Sequence, residues 1–350
     1  MSLSVVMPNF NHGHLISHAL DALAAQGRPA DEIIVVDDGS TDDSRAILDR
    51  HRQQLPQLIV LANERTGGAI AALQRGLERA SQRYVYFAAA DDWVLPGFFE
   101  RALDILNANQ DCGLVCGEAM LLSGETGELL GYRPPVWPIL RGGKVTSEMA
   151  HRLLRRADNF LLTGSAVFRR DIVMEKGGFD ARAGSFADGL LNRKIALTHG
   201  FYFEPRLFAV WNVFSQGLSR TTALDIERAR KALTELPVLI EQDGDFPAWY
   251  AAAFRRRWRF GVARLALGAS PPRLSLLLEM GATSAVDKRL LGFLSLGIGY
   301  RPVRWLILAL LTMRLKPYRL LDLFKTAVVR RWIALGNKRR PGSSPQSNFS

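Results

Sequence analysis

The adjacent carboxylates Asp91 and Asp92 could bind a metal ion. They follow an apolar run at 84–89, which has the length of a strand, and precede a turn that leads into a helix from Phe98. Two carboxylates at the end of a buried strand are costly unless a cation lies beside them. A divalent metal that carries a diphosphate would meet this need, because hard cations bind carboxylate and phosphate oxygens. The alternative is an Asp-rich turn that only caps the helix.

Two further carboxylates stand where a strand ends or a helix begins. Asp38 follows the β-branched run at 33–36, and the neighbouring Gly39 permits a turn there. Asp188 directly precedes a segment of helical character at 189–196, where a carboxylate favours the positive end of the helix dipole. For both residues, a capping or turn-forming role is the alternative to a functional one.

The elements that position these residues alternate along the first 110 residues, with strands predicted at 3–8, 33–36, 58–61 and 84–89. Helical patterns lie between these strands, which predicts a right-handed, mostly parallel mixed α/β sheet flanked by helices. Continuous β-branched runs are typical of parallel strands that are buried on both faces. Ligands of such sheets bind beyond the carboxyl ends of the strands, so we expect Asp38 and Asp92 to face one crevice.

The composition is that of a globular protein, since 48% of the 350 residues are hydrophobic and 23% are charged. This length suits one large domain, or a domain plus an extension. Cys112 and Cys116 lie in one strand-like segment without a nearby His, so we expect buried, reduced thiols and no zinc site. The first residues have a strand pattern and no basic segment followed by an apolar one, so no signal peptide is expected.

The net charge of +11 is unevenly distributed along the chain. Residues 1–250 contain 26 Lys and Arg against 31 Asp and Glu, whereas residues 251–350 contain 19 against 3. The first segment therefore carries a charge of −5 and the second a charge of +16. This split predicts a catalytic body with a basic C-terminal extension that meets an anionic partner.

Five features of the sequence resemble the inverting family 2 glycosyltransferases with the GT-A fold, and they occur in the order of that family. They are SVVMPNFN at 4–11, IIVVDDGSTD at 33–42, ADD at 90–92, GGFD at 177–180 and Asp188. The second motif is fairly specific and the ordered set is highly so. The resemblance covers about residues 1–220. It implies a nucleotide-diphospho-sugar transferase fold, a nucleotide-sugar donor and a Mg²⁺ or Mn²⁺ ion.

The resemblance also implies roles for individual residues at the donor site. By position, Asp38 resembles the aspartate that hydrogen-bonds the nucleotide base, and Pro8 and Phe10 would line that pocket. Asp92 resembles the metal-ligating member of the DXD motif of the family, and Asp91 resembles its neighbour that faces the sugar or ribose.

Two more residues are candidates beside the donor. Asp188 resembles the general base that deprotonates the acceptor hydroxyl, and a single displacement from the opposite face would invert the anomeric centre. Arg65 lies two residues before Gly67 and Gly68, at a predicted helix start where backbone could approach a phosphate, and is a further candidate for contacting the donor.

The sequence departs from the family pattern at two positions that bear on the metal. Ala90 stands where the DXD motif has its first Asp, and Phe214 stands where many members have a His that can be a further metal ligand. These departures leave Asp92, the diphosphate and water as the expected ligands, which Mg²⁺ or Mn²⁺ can accept.

The basic extension is predicted to be helical and to lie on a membrane surface. Helical patterns at 225–242 and 249–268 precede uncharged runs at 290–300 and 305–313. Neither run reaches the roughly 18 apolar residues that a spanning helix needs, and joining them would place two arginines near the middle of a bilayer. In-plane amphipathic helices on anionic lipid fit better. A basic subdomain packed on the catalytic body is the alternative, and nucleic-acid binding ranks last.

We therefore expect a catalytic domain at 1–220, a basic helical extension at 221–336 and a disordered tail at 337–350. The expected function is metal-dependent, inverting transfer of a sugar, with UDP as the commonest nucleotide, to a glycan or lipid-linked acceptor. That reaction would serve cell-surface polysaccharide or lipopolysaccharide-type synthesis at the cytoplasmic face of the inner membrane. A non-catalytic relative that binds a nucleotide-sugar and a membrane-associated scaffold are the alternatives.

Overall fold

The structure of the protein, a computed structural model, describes residues 2–338. The strands are β1 (Leu3–Asn9), β2 (Glu32–Asp37), β3 (Leu58–Ala62), β4 (Tyr84–Phe87), β5 (Trp93–Val94), β6 (Leu114–Ser123), β7 (Leu129–Arg133), β8 (Gly143–Val145), β9 (Ala166–Arg169) and β10 (Phe201–Val213). The α-helices before β10 are α1 (Gly13–Ala24), α2 (Ser44–Gln54), α3 (Ala69–Arg79), α4 (Phe98–Ala108), α5 (Ser147–Leu154), α6 (Arg170–Glu175) and α7 (Ala187–His199). Those after it are α8 (Leu218–Leu224), α9 (Ile226–Gln242), α10 (Tyr250–Gly268), α11 (Leu274–Gly281), α12 (Ala285–Ser295), α13 (Arg301–Leu315) and α14 (Leu320–Lys338).

The strands form one mixed sheet in the order β3-β2-β1-β4-β9-β6-β10-β5, with β7 paired to β6 and β8 to β10. β1 runs parallel to both β2 and β4, and β2 runs parallel to β3. β9 is antiparallel to its neighbours β4 and β6. The prediction of a mixed α/β sheet flanked by helices is therefore confirmed, and its parallel half contains the strands that precede Asp38 and Asp91.

Side chains of the parallel strands alternate between two cores, one on each face of the sheet. Val5 and Ile33 pack on the face that α1 and α4 cover, whereas Val6 and Ile34 pack on the face that α3 and α7 cover. Both faces are thus removed from water, which explains why the runs in β1 and β2 are apolar without alternation. The aligned carboxyl ends of β1, β2 and β4 are left to form one edge of the fold.

The structure differs from the sequence-based expectations between β6 and α7. The several Gly and Pro residues at 123–144 predict a loop, but this segment contains β7, which forms a hairpin with β6, and most of β8. β7 gives no strand pattern because its Leu129 and Leu130 are both exposed. The sequence TGSAVF at 163–168 predicts a short strand, but the strand begins only at Ala166, and the residues before it form a 3₁₀ turn, Thr163–Ser165.

The helices after β10 pack in two ways. α9 and the start of α10 add Leu236, Ile240 and Phe254 to one core of the sheet. The helices α8 to α13 surround a further core that includes Leu277 and Leu311. α14 then returns to the sheet, and the tail expected from 337 lies outside the described residues apart from the last two residues of α14. Within residues 2–338, no helix is both long enough and apolar enough to cross a membrane.

A buried ion cluster joins α7 to α10. The Oδ2 atom of Asp158 lies 3.4 Å from Nε of Arg193 in α7 and 3.2 Å from Nη1 of Arg257 in α10. The hydroxyl of Tyr250 donates a 2.8 Å hydrogen bond to the same carboxylate oxygen. Burial would raise the pKa of Asp158, but the two guanidinium groups outweigh it and hold the pKa at about 2.

Candidate active site

The turn between β4 and β5 carries Asp91 and Asp92, and β10 fixes its shape. β10 pairs antiparallel with β5, so that Asn212 lies beside the turn. The backbone N–H of Asn212 donates a 2.8 Å hydrogen bond to Oδ1 of Asp92, and its side-chain amide donates to the backbone oxygen of Asp91. No hydrogen bond to Oδ2 of Asp92 is found within residues 2–338, which leaves this oxygen available to a cation.

The electrostatics of this turn also favour a cation. Burial and the neighbouring Asp91 carboxylate raise the pKa of Asp92 well above its usual range, and the N–H of Asn212 offsets this only in part. Burial and the charge of the Asp92 carboxylate raise the pKa of the Tyr86 hydroxyl. A carboxyl group that is poorly compensated in this way gains more from a divalent cation than an exposed carboxylate would.

The residues at this turn fit a metal held by few protein ligands. In the described part of the chain, no group of three or more His, Cys, Asp or Glu side chains could hold a metal ion. The ring of Phe214 packs closely against Gly124 and supplies no ligand. The carboxylate of Asp92, with Asp91 adjacent, could supply the protein oxygens of a metal site, and the remaining ligands would then come from diphosphate and water.

Asp38 lies directly after β2 and is only 2% exposed. The loop between β3 and α3 surrounds its carboxylate, with donors at Asn63 Nδ2 (2.6 Å), Thr66 Oγ1 (2.7 Å), Gly67 N (3.0 Å) and Gly68 N (2.8 Å). Burial alone would raise the pKa of Asp38, but these hydrogen bonds lower it below its usual value. In this structure Asp38 organises the loop at 63–68, and its contact with a nucleotide base stays a prediction.

Gly39 lets that loop approach the end of β2. Its φ is +79°, and a Cβ atom there would lie 3.2 Å from the backbone of Arg65 and of Thr66. Gly97 has the same φ of +79°, but a Cβ atom there would meet nothing within 4 Å.

We expect Gly39→Ala to destabilise the fold more than Gly97→Ala. Both substitutions incur the dihedral cost of positive φ, about 1–2 kcal/mol, whereas only Gly39→Ala also pushes the loop away from Asp38. Urea unfolding monitored by circular dichroism measures both losses, and nucleotide binding should weaken in Gly39→Ala alone. Equal losses of stability with unchanged binding would show that the close approach is unimportant.

Asp188 lies in the first turn of α7, as the sequence predicted. Its Oδ1 accepts a 2.7 Å hydrogen bond from the N–H of Gly189, and its Oδ2 accepts a 2.7 Å bond from the hydroxyl of Thr163. The amide of Asn192 donates to the same hydroxyl at 2.8 Å, which fixes the direction of the Thr163 proton toward Asp188. The carboxylate is thus held in one orientation and is partly exposed.

A chain of contacts connects Asp188 to the acidic turn. The hydroxyl of Tyr86, in β4, donates a 3.1 Å hydrogen bond to the backbone oxygen of Gly164, which is next to Thr163. The carboxylate of Asp92 acts electrostatically on that same tyrosine hydroxyl. Tyr86 is therefore linked to the candidate base through the 3₁₀ turn and to the candidate metal ligand through its charge.

The other predicted donor residues lie at the same edge of the sheet. Pro8 pairs with Val36 of β2, and Phe10, just beyond β1, is 45% exposed and free to meet a planar ring. Arg65 is exposed on the loop that surrounds Asp38. Because β2 and β4 flank β1, Asp38 and the acidic turn follow strands about 10 Å apart.

Comparison with known families identifies the first half of the chain. The model of glycosyl transferase family 2 matches residues 4–176. The chain carries a glycosyl transferase family 2 domain.

Curated relatives of this family 2 domain match it over part of their own length. "Uncharacterized glycosyltransferase YibD" of Escherichia coli (strain K12) is 30% identical over 216 residues, which cover 58% of this chain and 56% of that protein. "Minor teichoic acid biosynthesis protein GgaB" of Bacillus subtilis (strain 168) is 32% identical over 128 residues, which cover 36% of this chain and 14% of that protein. The match thus spans little more than half of the first relative and a small part of the second.

Solved structures resemble the protein over nearly its whole length. S. aureus TarS 1–349, crystallised in complex with UDP, has a TM-score of 0.56 and 18% identity, and the match covers 97% of this chain and 93% of that chain. Mannosyltransferase PcManGT from Pyrobaculum calidifontis, in complex with GDP-Man and Mn²⁺, also has a TM-score of 0.56, with 20% identity and coverages of 95% and 87%. At such identities the likeness establishes the fold alone, and the predicted GT-A fold is confirmed.

Sequence patterns missed three residues that hold the candidate site in place. Asn212 shapes the acidic turn, and Thr163 and Asn192 orient Asp188. Asn212 lies two residues before Phe214, in a stretch whose sequence gives no signal of a contact with the acidic turn. Thr163 and Asn192 act through contacts that span 25 and 29 residues, and no local pattern signals such contacts.

Proposed function

We propose that this protein transfers a sugar from a nucleotide-sugar donor, with a UDP-sugar as the first expectation, to a hydroxyl of a glycan or lipid-linked acceptor. The anomeric centre is inverted, and the reaction belongs to cell-surface polysaccharide or lipopolysaccharide-type biosynthesis. The observation that carries the proposal is the environment of the Asp92 carboxylate in a family 2 domain. It is a poorly compensated carboxylate with one oxygen free of hydrogen bonds, at the edge of the sheet where ligands bind.

The donor would lie along the carboxyl ends of β2, β1 and β4. The nucleotide base would lie between Phe10 and the loop organised by Asp38. Arg65 is exposed on that same loop, and its side chain would contact a phosphate of the donor. Asp92 would hold a Mg²⁺ or Mn²⁺ ion, which neutralises the charge of the leaving diphosphate when it is bound, and Asp91 would face the sugar or ribose of the donor. The bound Mn²⁺ and GDP-Man of PcManGT support this use of the fold.

Asp188 would act on the acceptor. As the acceptor oxygen bonds to the anomeric carbon, the bond from that carbon to the diphosphate oxygen breaks, and the acceptor proton passes to the Asp188 carboxylate. The hydrogen bonds from Thr163 and Gly189 hold this carboxylate still, which reduces the cost of bringing it to the reacting hydroxyl. One displacement of this kind gives an inverted product.

The acceptor and the location are inferred from a relative and from the charge of the C-terminal residues. A relative whose printed name concerns teichoic acid biosynthesis supports a surface-polymer or lipid-linked acceptor. The charge of +16 on residues 251–350 supports work at an anionic membrane surface, which we place at the cytoplasmic face of the inner membrane.

A donor screen tests the proposed reaction. Purified protein is incubated with each of the common nucleotide-sugars, with and without Mn²⁺, and the released nucleoside diphosphate is measured. We expect slow release of nucleoside diphosphate from one donor, and this release should depend on Mn²⁺. The release should become faster when an acceptor extract is added. The absence of both turnover and binding for every donor would refute the proposal.

A non-catalytic relative that binds nucleotide-sugars is the second candidate. It is favoured by Ala90 and by Phe214, which leave the metal with few protein ligands. Such a protein would bind one donor in the same screen without releasing nucleoside diphosphate, with or without an acceptor extract.

A further inference from the structure

Three consecutive helices, α12, α13 and α14, expose large hydrophobic side chains in helical register. On α12 the exposed series continues from Val286 through Leu290 and Phe293 to Leu296, which follows the helix, in steps of four, three and three. On α14 the steps from Leu321 through Phe324 and Val328 to Trp332 are three, four and four. Side chains at these spacings share one face of a helix. The exposed residues of α13 include Trp305, Leu306 and Met313.

These faces are exposed although each helix already has a packed face. α12 buries Leu291, and α13 buries Ile307 and Leu311, all in the core that includes α10 and α11. The exposed series therefore form second apolar faces, which nothing in the described chain covers. Soluble proteins rarely expose so much large hydrophobic surface in one region without a partner.

α14 is held so that its apolar series cannot turn inward. Nε and Nη2 of Arg330 contact the buried carboxylate of Glu118 at 2.8 and 2.6 Å. The hydroxyl of Thr326, fully buried, accepts a 3.0 Å hydrogen bond from the backbone N–H of Trp137. Both residues lie on the side of α14 that faces the catalytic domain, so this contact fixes Phe324 and Trp332 on the other side.

Basic residues are interleaved with these apolar faces. Between 286 and 333 the chain has ten Lys and Arg and only two acidic residues, Asp287 and Asp322. Arg314 bonds to Asp287, and Arg330 bonds to Glu118, so most of the positive charge has no acidic partner on these helices. A cleft of about 420 Å³ between α10 and α13 combines both chemistries, since Arg264, Arg301 and Arg304 line it together with Trp305 and Leu308.

We propose that the exposed faces of α12, α13 and α14 form a docking surface for an anionic phospholipid bilayer. Trp, Phe and Leu side chains enter the boundary between headgroups and acyl chains, and the arginines contact lipid phosphates, including those that enter the cleft at Arg301. A second copy of the chain is a less suitable partner for this surface, because the ten basic residues of one copy would face the ten of the other and repel them. The inference goes beyond the proposed reaction, since it predicts binding without donor or turnover.

Sedimentation with sucrose-loaded vesicles tests the docking surface. Full-length protein is mixed with vesicles of phosphatidylcholine, or of phosphatidylcholine and phosphatidylglycerol in equal parts, and the bound fraction is measured at 0.1 M salt. We expect strong binding to the anionic vesicles and weak binding to the neutral ones.

The double variant Phe324→Gln with Trp332→Gln should bind anionic vesicles at least tenfold less strongly, because it removes two side chains that enter the bilayer. Arg289→Gln with Arg301→Gln should lose roughly 30-fold, about fivefold for each charge near the surface. The matched control, Met174→Gln with Val238→Gln, changes two exposed apolar residues outside these helices and should bind as the original protein does.

Three results would overturn the proposal. The original protein could fail to bind anionic vesicles, or the Phe324 and Trp332 variant could bind as well as the original. Alternatively, sedimentation velocity could reveal a dimer that this double variant dissociates, which would assign the surface to a second copy of the chain. Circular dichroism checks that all variants remain folded, as expected for changes at exposed positions.

Discussion

Asp188→Asn should lower the rate of sugar transfer about 10³-fold while leaving donor binding unchanged. The amide retains the size of the side chain and can still accept the hydrogen bond from Thr163 or from Gly189, but it cannot take the proton of the acceptor hydroxyl. General-base catalysis contributes about 10²–10⁴ in rate, which sets the expected loss. The measurements are steady-state release of nucleoside diphosphate with an acceptor extract, and calorimetric titration with the donor.

Asp171→Asn is the matched control for this variant. Asp171 also lies in the first turn of a helix, α6, and also accepts the N–H of the next residue, at 2.9 Å. If Asp188 only stabilised the start of α7, both variants would show a small loss of stability and normal turnover. Such an outcome would remove Asp188 from the catalytic machinery and favour the non-catalytic alternative.

Asp158→Asn should destabilise the protein by about 3–5 kcal/mol, the usual cost of removing one partner of a buried ion pair. It would leave Arg193 and Arg257 buried together, with side-chain exposures of 16% and 11% and no carboxylate between them. Since these arginines belong to α7 and α10, we expect the packing of the C-terminal helices on α7 to weaken first. Urea unfolding at pH 7 measures the loss.

The same carboxylate predicts how stability depends on pH. Its pKa is about 2 in the folded protein and near the ordinary 3.8 when unfolded, so its stabilisation is fully present above pH 5 and disappears as the pH falls toward 2. This pKa difference corresponds to about 2 kcal/mol of the free energy of unfolding. The original protein should lose that stability on acidification, whereas Asp158→Asn should not.

The exposed carboxylate Glu227, in a surface pair with Arg230, provides the control for the buried cluster. Glu227→Gln should change the free energy of unfolding by less than about 1 kcal/mol. A loss for Asp158→Asn no larger than that of Glu227→Gln would contradict the role of the buried cluster.

The sequence predicted the parts of the fold that depend on local patterns. The β-branched run of β2 indicated a strand buried on both faces, and its end placed Asp38 at the carboxyl edge of the sheet, where the structure has it. Asp188 was placed at a helix start for the same kind of reason. Such predictions succeed because side-chain periodicity and helix-terminal chemistry act over a few residues.

The contacts that refine the site could not be predicted in this way. The four donors around Asp38 come from a loop about 25 to 30 residues away, and Asn212 reaches the acidic turn from 120 residues away. The ion cluster at Asp158 likewise joins segments that only the folded chain brings together. The C-terminal helices were predicted, whereas the return of α14 to Trp137 and Glu118 depends on tertiary packing alone.

The most direct test of the role of Asp92 is the donor screen with Asp92→Asn measured beside the original protein. The central claim is that Asp92 holds the divalent ion that a nucleotide-sugar donor needs at the ends of β1, β2 and β4. We predict that the original protein releases nucleoside diphosphate from one donor only with Mn²⁺, and that Asp92→Asn releases it at less than a hundredth of that rate at any Mn²⁺ concentration. Release that is equal in the two proteins, or that needs no metal, would contradict the claim.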